Sequence, residues 1–181
     1  MNGSGHGLWA TSSAGGSMTV SNCTISEYYD DPGNSFTFIF LTNTIPVTVQ
    51  TSPSGLSITV DGTPYTGPQV FNWTTGSTHT IATTSPQSGG AGTQYAWSNW
   101  SDGGAISHTV APTVGTTYTA NFTTQYYLTM NAGAGGTVSP ASSWNNSGAN
   151  VNISATASNG YSFSSWTGSG SGSYSGSANP S

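Results

Sequence analysis

The chain has 181 residues, five acidic side chains and no Lys or Arg, for a formal net charge of −5. With no cation to neutralise phosphate, it has no means of binding nucleic acid or of holding phosphorylated substrates tightly. A single cysteine, Cys23, leaves neither an internal disulfide nor a multi-cysteine metal site.

Leu, Ile, Val and Phe total only 26 residues, a scarcity that by itself suggests disorder. The small net charge does not fit that reading, and nine Tyr and six Trp supply large apolar surfaces. The composition therefore predicts small cores anchored by aromatic rings. The longest apolar run, Phe38-Ile-Phe-Leu41, is far too short to span a bilayer, so no membrane insertion is expected. A secretory signal needs a basic start, which this chain lacks. An extracellular protein would then be represented here by a processed or truncated piece.

Residues 1–14 are rich in Gly and Ser, with Trp9 as an anchor. Two strands are predicted over 17–25 and 35–41, separated by the turn Asp30-Asp-Pro-Gly-Asn34. Phe36, Phe38 and Phe40 line one face of the second strand, and Ile39 and Leu41 the other. A strand apolar on both faces needs cover on both. Residues 1–44 thus read as a hairpin segment, the tail of an upstream domain.

From Ile45 short alternating strands follow one another: Val47 and Val49; Leu56, Ile58 and Val60 up to Asp61-Gly62; Val70 to Trp73; and Thr78 to Thr83, with His79 and Ile81 on one face. After a Gly/Ser/Pro loop over 85–94 comes Tyr95-Ala-Trp-Ser-Asn-Trp100, ending at Ser-Asp-Gly-Gly104. Tyr95 and Trp97 share a parity, whereas Trp100 has the opposite one. Strands over 106–110 and 118–122 are expected to close this unit. No stretch carries helical periodicity at useful length.

The pattern then repeats. Leu128-Thr-Met-Asn131 matches Val47-Thr-Val-Gln50, and Tyr161, Phe163 and Trp166 match Tyr95, Trp97 and Trp100 at a constant offset of 66. The offset shrinks only at turns, which marks an internal duplication. The prediction is an all-β chain of two small tandem modules, 45–124 and 125–181. The second is expected to lack its closing strands and to expose an edge. Tyr95, Trp97, Tyr161, Phe163 and Trp166 are the expected core aromatics.

Gly-Gly-Thr-Val-Ser-Pro140, Ser-Gly-Ala-Asn-Val-Asn-Ile153 and Asn-Gly-Tyr-Ser-Phe-Ser-Ser-Trp166 resemble the divergent internalin-type B-repeat, also called the Listeria–Bacteroides or bacterial repeat domain. The first unit, with Trp97-Ser-Asn-Trp-Ser-Asp-Gly-Gly104 and Tyr118-Thr-Ala-Asn-Phe122, is similar to a longer variant found beside such repeats. The resemblance spans roughly 45–181. It implies tandem β-rich modules, either β-grasp-like or small sandwiches, in long secreted or surface-attached proteins. It implies no catalytic residues and does not reach 1–44.

Trp144, Trp73 and Trp100 are the candidate glycan-stacking rings, although recurrence at equivalent positions favours a core role for most of the tryptophans. His79, His108 and Asp102 with Ser98 or Ser101 would be needed for a nucleophilic triad, but no Gly-x-Ser-x-Gly elbow accompanies them. The same two histidines and Asp102 carry ligand types that suit zinc, but spacing alone does not bring them together. Asp30, Asp31 and Asn34 would suit calcium, or simply a turn. Seven Asn-x-Ser/Thr sequons, at Asn2, Asn22, Asn72, Asn99, Asn121, Asn145 and Asn152, barely exceed chance in so Ser/Thr-rich a chain.

The expected function is a non-catalytic structural spacer or adhesion segment of a secreted or cell-surface protein, with no cofactor and no metal. Its expected partners are neighbouring repeat modules and, beyond them, surface glycans or a host or matrix protein. A glycan-binding module using exposed aromatics is the alternative.

Overall fold

The structure is a computed structural model and describes residues 43–179. The hairpin expected before residue 44 and the calcium candidates Asp30, Asp31 and Asn34 lie outside that range. Of the described residues, 45–179 fall in one compact unit. Every regular element in it is a strand: β1 (Thr44–Ser52), β2 (Ser57–Val60), β3 (Thr63–Thr66), β4 (Gln69–Thr74), β5 (His79–Thr83), β6 (Gln87–Ser88), β7 (Thr93–Trp100), β8 (Ser107–Val110), β9 (Thr116–Leu128), β10 (Gly136–Ser139), β11 (Ser143–Asn146) and β12 (Ser154–Ala157).

Local chemistry sets most of these boundaries. Asp61 and Gly62 join β2 to β3 with φ of 50 and 80, the left-handed pair that a two-residue hairpin turn requires. The sequence pattern misses β3, because Pro64 breaks its alternation; the strand is tolerated because it lies at the edge of its sheet. The two-residue β6 lies inside the predicted 85–94 loop and pairs with β7.

Two sheets face each other. The larger runs β4-β1-β9-β7-β6, with β11 also paired to β9; the smaller runs β3-β2-β5-β8. The first strand of the unit, β1, pairs in parallel with β9, which places Val49 beside Tyr118 and Thr51 beside Ala120. Between the sheets lie Val47, Val49, Ile58, Val60, Trp73, Ile81, Trp100, Val110, Tyr118 and Ala120, with Trp97, Phe71, Tyr65 and Phe122 packed around them. Full burial of each aliphatic side chain among these stabilises by about 1.5–3 kcal/mol. The buried Thr51 and Thr83 are satisfied: Thr51 Oγ1 accepts from the Leu56 amide at 3.2 Å, and Thr83 Oγ1 donates to the Ser57 carbonyl at 2.7 Å. The first module is a small sandwich.

Trp100 corrects the parity expectation. The β7–β9 register shifts between Trp97 and Asn99, so one extra residue turns Trp100 back to the inner face beside Trp97. Trp100 is 1% exposed and its indole N–H donates to the Ile106 carbonyl at 3.2 Å. Trp73 is 5% exposed and stacks on His79, with ring centroids 4.0 Å apart. Neither indole presents a face to solvent, so neither can stack a sugar.

The second repeat follows the first in outline. In the first, β4 flanks β1 and β2 pairs with β5; in the second, β11 flanks the far end of β9 and β10 pairs with β12. Strand β9 therefore runs unbroken across the expected module boundary, since residues 124 and 125 both lie within it. The packing differs. The fully buried apolar residues among those described all lie between Val47 and Ala120. Phe163 and Trp166 are half-buried against each other at 5.5 Å. The Trp166 N–H donates to the Ala178 carbonyl at 3.2 Å, repeating the indole anchor of Trp100. Tyr161 departs from its expected core role. It is 61% exposed, with its ring laid over Gly135 where any Cβ would collide with it. Among the described residues after Trp166 there is no strand, only a bridge between Trp166 and Gly176.

Candidate functional site

Strand β9 sorts its side chains by parity. Tyr118, Ala120 and Phe122 face the core, so Thr119, Asn121, Thr123, Gln125 and Tyr127 face outward. The outward face of the larger sheet is a sequence of polar rows. Gln50 Nε2 donates to Thr119 Oγ1 at 3.1 Å, and Asn121 Nδ2 donates to Asn99 Oδ1 at 2.7 Å. Further along, Gln94 Nε2 donates to Gln125 Oε1 at 2.7 Å, and Gln125 Nε2 donates to Asn146 Oδ1 at 2.8 Å. The last row is aromatic: Tyr127 and Trp144 are directly paired across β9 and β11, edge to face at 5.1 Å. They are 44% and 40% exposed. Of the three candidate stacking rings, only Trp144 is placed to meet a ligand. Its partners, Tyr127 and the three amides, were not singled out in the sequence. The signal for them was the outward parity of Gln125 and Tyr127, hidden by the supposed boundary at 124/125.

The structure places the two described histidines in separate pairs, as their spacing had left open. His108 Nε2 and Asp102 Oδ2 lie 2.9 Å apart, and His108 Nδ1 is 2.7 Å from the Ala105 carbonyl. Ser101 Oγ accepts from the Thr119 amide, and Ser98 is the exposed residue of the β7 irregularity. His79 pairs instead with Asp61, its Nδ1 2.7 Å from Oδ2, and its Nε2 lies 2.8 Å from Ser77 Oγ. Ser77, His79 and Asp61 thus make a Ser–His–Asp chain that the sequence reading missed. Asp61 and Ser77 lie 16 residues apart in the sequence, and only the β2–β5 pairing brings both to His79.

Triad connectivity alone does not make a nucleophile. Ser77 Oγ also donates to the Thr74 carbonyl at 2.6 Å. The nearby amides of Gly76 and Ser77 are committed to the carbonyls of Pro112 and Thr74, which leaves neither for an oxyanion. His79 is held flat on Trp73. The set clamps the 74–77 turn to the β2–β3 hairpin. Among the described residues no group of three His, Cys, Asp or Glu is arranged to hold a metal.

Both carboxyls sit below their ordinary range. For Asp61 the hydrogen bond from His79 is the main cause, aided by the Thr80 amide, which reaches Oδ1 at 2.8 Å. For Asp102 burial pushes the value up, but the hydrogen bonds from His108 and the Gly104 amide together outweigh it. A lowered folded pKa means a contribution present above the unfolded value and lost as pH falls through the folded one. Asp61→Asn keeps the side-chain shape and tolerates the left-handed backbone. It is expected to cost up to about 1 kcal/mol at pH 7, because solvent screens this half-exposed pair. In melts at pH 7 and at a pH below the ordinary Asp range, that difference from the parent should be smaller at the lower pH, and it vanishes only once the folded carboxyl is itself protonated. An equal difference at both pH values would contradict the clamp.

A second surface feature is an open cleft of about 370 Å³ in the C-terminal repeat, between the 131–138 segment, β12 and residues 161–167. Comparison with known proteins adds a family assignment for this region alone. No curated protein and no solved structure matches the chain. The C-terminal repeat, residues 126–181, matches the family model of the divergent InlB B-repeat domain, a repeat domain of surface proteins.

Proposed function

We propose that this chain is a non-catalytic spacer or adhesion segment of a secreted or cell-surface protein, built to hold its neighbours at a fixed distance. One observation carries this: β9 is a single 13-residue strand that runs across the boundary expected between the two repeats. A shared strand transmits orientation, where a flexible linker would dissipate it. The sparsely charged, hydroxyl- and amide-rich surface suits such a role, since it offers few fixed charges to attract or repel a partner. Backbone relaxation by NMR tests it. One rotational correlation time should fit the amides of both β7 and β11; two distinct values would overturn the spacer reading.

A second reading is favoured by the Tyr127–Trp144 pair, which lies on the outward face rather than in a core. In this reading the chain also binds glycans through exposed aromatics. Trp144→Ala should then abolish retention on an insoluble polysaccharide that retains the parent protein, whereas unchanged retention would remove Trp144 from any such site.

A further inference from the structure

We infer that the outward face formed by β7, β9 and β11 is a built site for an uncharged polysaccharide. Trp144 and Tyr127 grip one sugar ring, and the Gln94–Gln125–Asn146 row hydrogen-bonds the hydroxyls of its neighbour. The inference rests on the glycan-binding reading and adds the site and the ligand class.

Register brings the five residues together. Gln94 and Asn146 both stand directly opposite Gln125, on its two sides, and Trp144 stands opposite Tyr127. Gln125 and Tyr127 are two residues apart on one face, so the rows are about 7 Å apart along β9. Three strands make the amide row about 10 Å wide. Amide and aromatic contacts therefore fall on one flat surface, within reach of adjoining sugars.

The amides are pre-oriented and still have capacity. Gln94 donates to Gln125, which donates to Asn146, so all three side chains are held in one direction. Each carboxamide has two N–H donors and two acceptor lone pairs. The row uses one donor of Gln94, one donor and one acceptor site of Gln125, and one acceptor site of Asn146. The remaining N–H groups and lone pairs suit hydroxyls, which both donate and accept. Because the amides are already fixed, less conformational entropy is lost when a ligand binds.

Charge sets the ligand class. The chain has no Lys or Arg, and the described acids, Asp61 and Asp102, are paired with histidines elsewhere on the molecule. A uronate, sulfate or phosphate placed here would lose hydration and gain no counter-charge. A neutral sugar loses only hydroxyl–water contacts, which the amides replace. The edge-to-face arrangement leaves the Trp144 ring available to the apolar face of a pyranose.

The test is affinity electrophoresis and titration calorimetry of the intact chain against neutral polysaccharides (a β-glucan, a galactomannan, a xylan) and acidic ones (polygalacturonate, a sulfated galactan). The expected result is retention by at least one neutral polymer and none by the acidic ones. Trp144→Ala should weaken it about tenfold or more, and Gln125→Ala, which cuts both amide bonds, about threefold to tenfold. Gln125→Glu keeps the shape but removes the donor and should weaken it at least as much. Val114→Ala, at an exposed position in the β8–β9 link, should match the parent. If Trp144→Ala loses binding while both Gln125 variants bind normally, the glycan reading stands and the amide row is excluded from the site. Equal retention by acidic polymers would overturn the ligand class. Retention by none of the panel would overturn both readings.

Discussion

Replacing Trp100 by Ala is expected to destabilise the first sandwich by about 3–5 kcal/mol, the range for truncating a large buried aromatic. Small domains have only about 5–15 kcal/mol in total, so the variant should lose a large fraction of its stability. Trp100 is almost completely buried, joins the cluster that links both sheets, and packs edge-on against His108 at 5.8 Å. Its N–H also donates to the Ile106 carbonyl, so truncation loses a hydrogen bond as well as opening a cavity, while that carbonyl keeps its bond from the Thr83 amide. Trp97 offers an internal contrast. Its Nε1 is buried without a hydrogen-bond partner. Trp97→Phe removes an orphaned donor along with some surface, and should cost less than Trp100→Phe, which sacrifices a bond. Urea unfolding followed by circular dichroism gives all three values. A loss under about 1 kcal/mol for Trp100→Ala would show that this indole does not anchor the sandwich.

These residues also show what the sequence could reveal. Alternation at Val47 and Val49, and at Ile58 and Val60, located strands and their inner faces, because period-two burial is a local property of a pleated chain. Of the recurrent set Tyr95, Trp97 and Trp100 at Tyr161, Phe163 and Trp166, both end tryptophans are tied by the indole N–H, although only Trp100 is fully buried. What stayed hidden depended on partners distant in the chain. The irregularity that returns Trp100 to the core exists only because β7 must match β9. Asp61 was legible as a turn residue, but its bond to His79 follows from the β2–β5 register, which places Val60 opposite Ile81. The outward amide row needs three strands from two repeats, and no local pattern announces it. The continuity of β9 was concealed by the duplication itself: a repeat boundary suggested a break where the backbone makes none.

That continuity yields the most discriminating expectation. Thr123 lies mid-strand in β9, opposite Ala96 of β7. Tyr127 N donates to Gly92 O, and Thr119 O accepts from Ser101 N, so the odd-numbered backbone groups of β9 point toward the β7 side. The Thr123 amide therefore belongs to that ladder. Thr123→Pro removes it from the middle of a sheet, where Pro is tolerated only at edges and bulges. The expected cost is about 3 kcal/mol or more, and the damage should spread in both directions. Amide exchange should accelerate in β7, and also in β11, which is held in the sheet through its pairing with Gln125–Leu128 of the same strand. Two self-contained modules on a linker would respond differently, since proline in a linker costs little and leaves both folds protected. Hydrogen exchange read residue by residue separates the cases. Unchanged protection in β11, with an unchanged unfolding midpoint, would mean that the repeats are independent beads, and the fixed spacing proposed for them would have no physical basis.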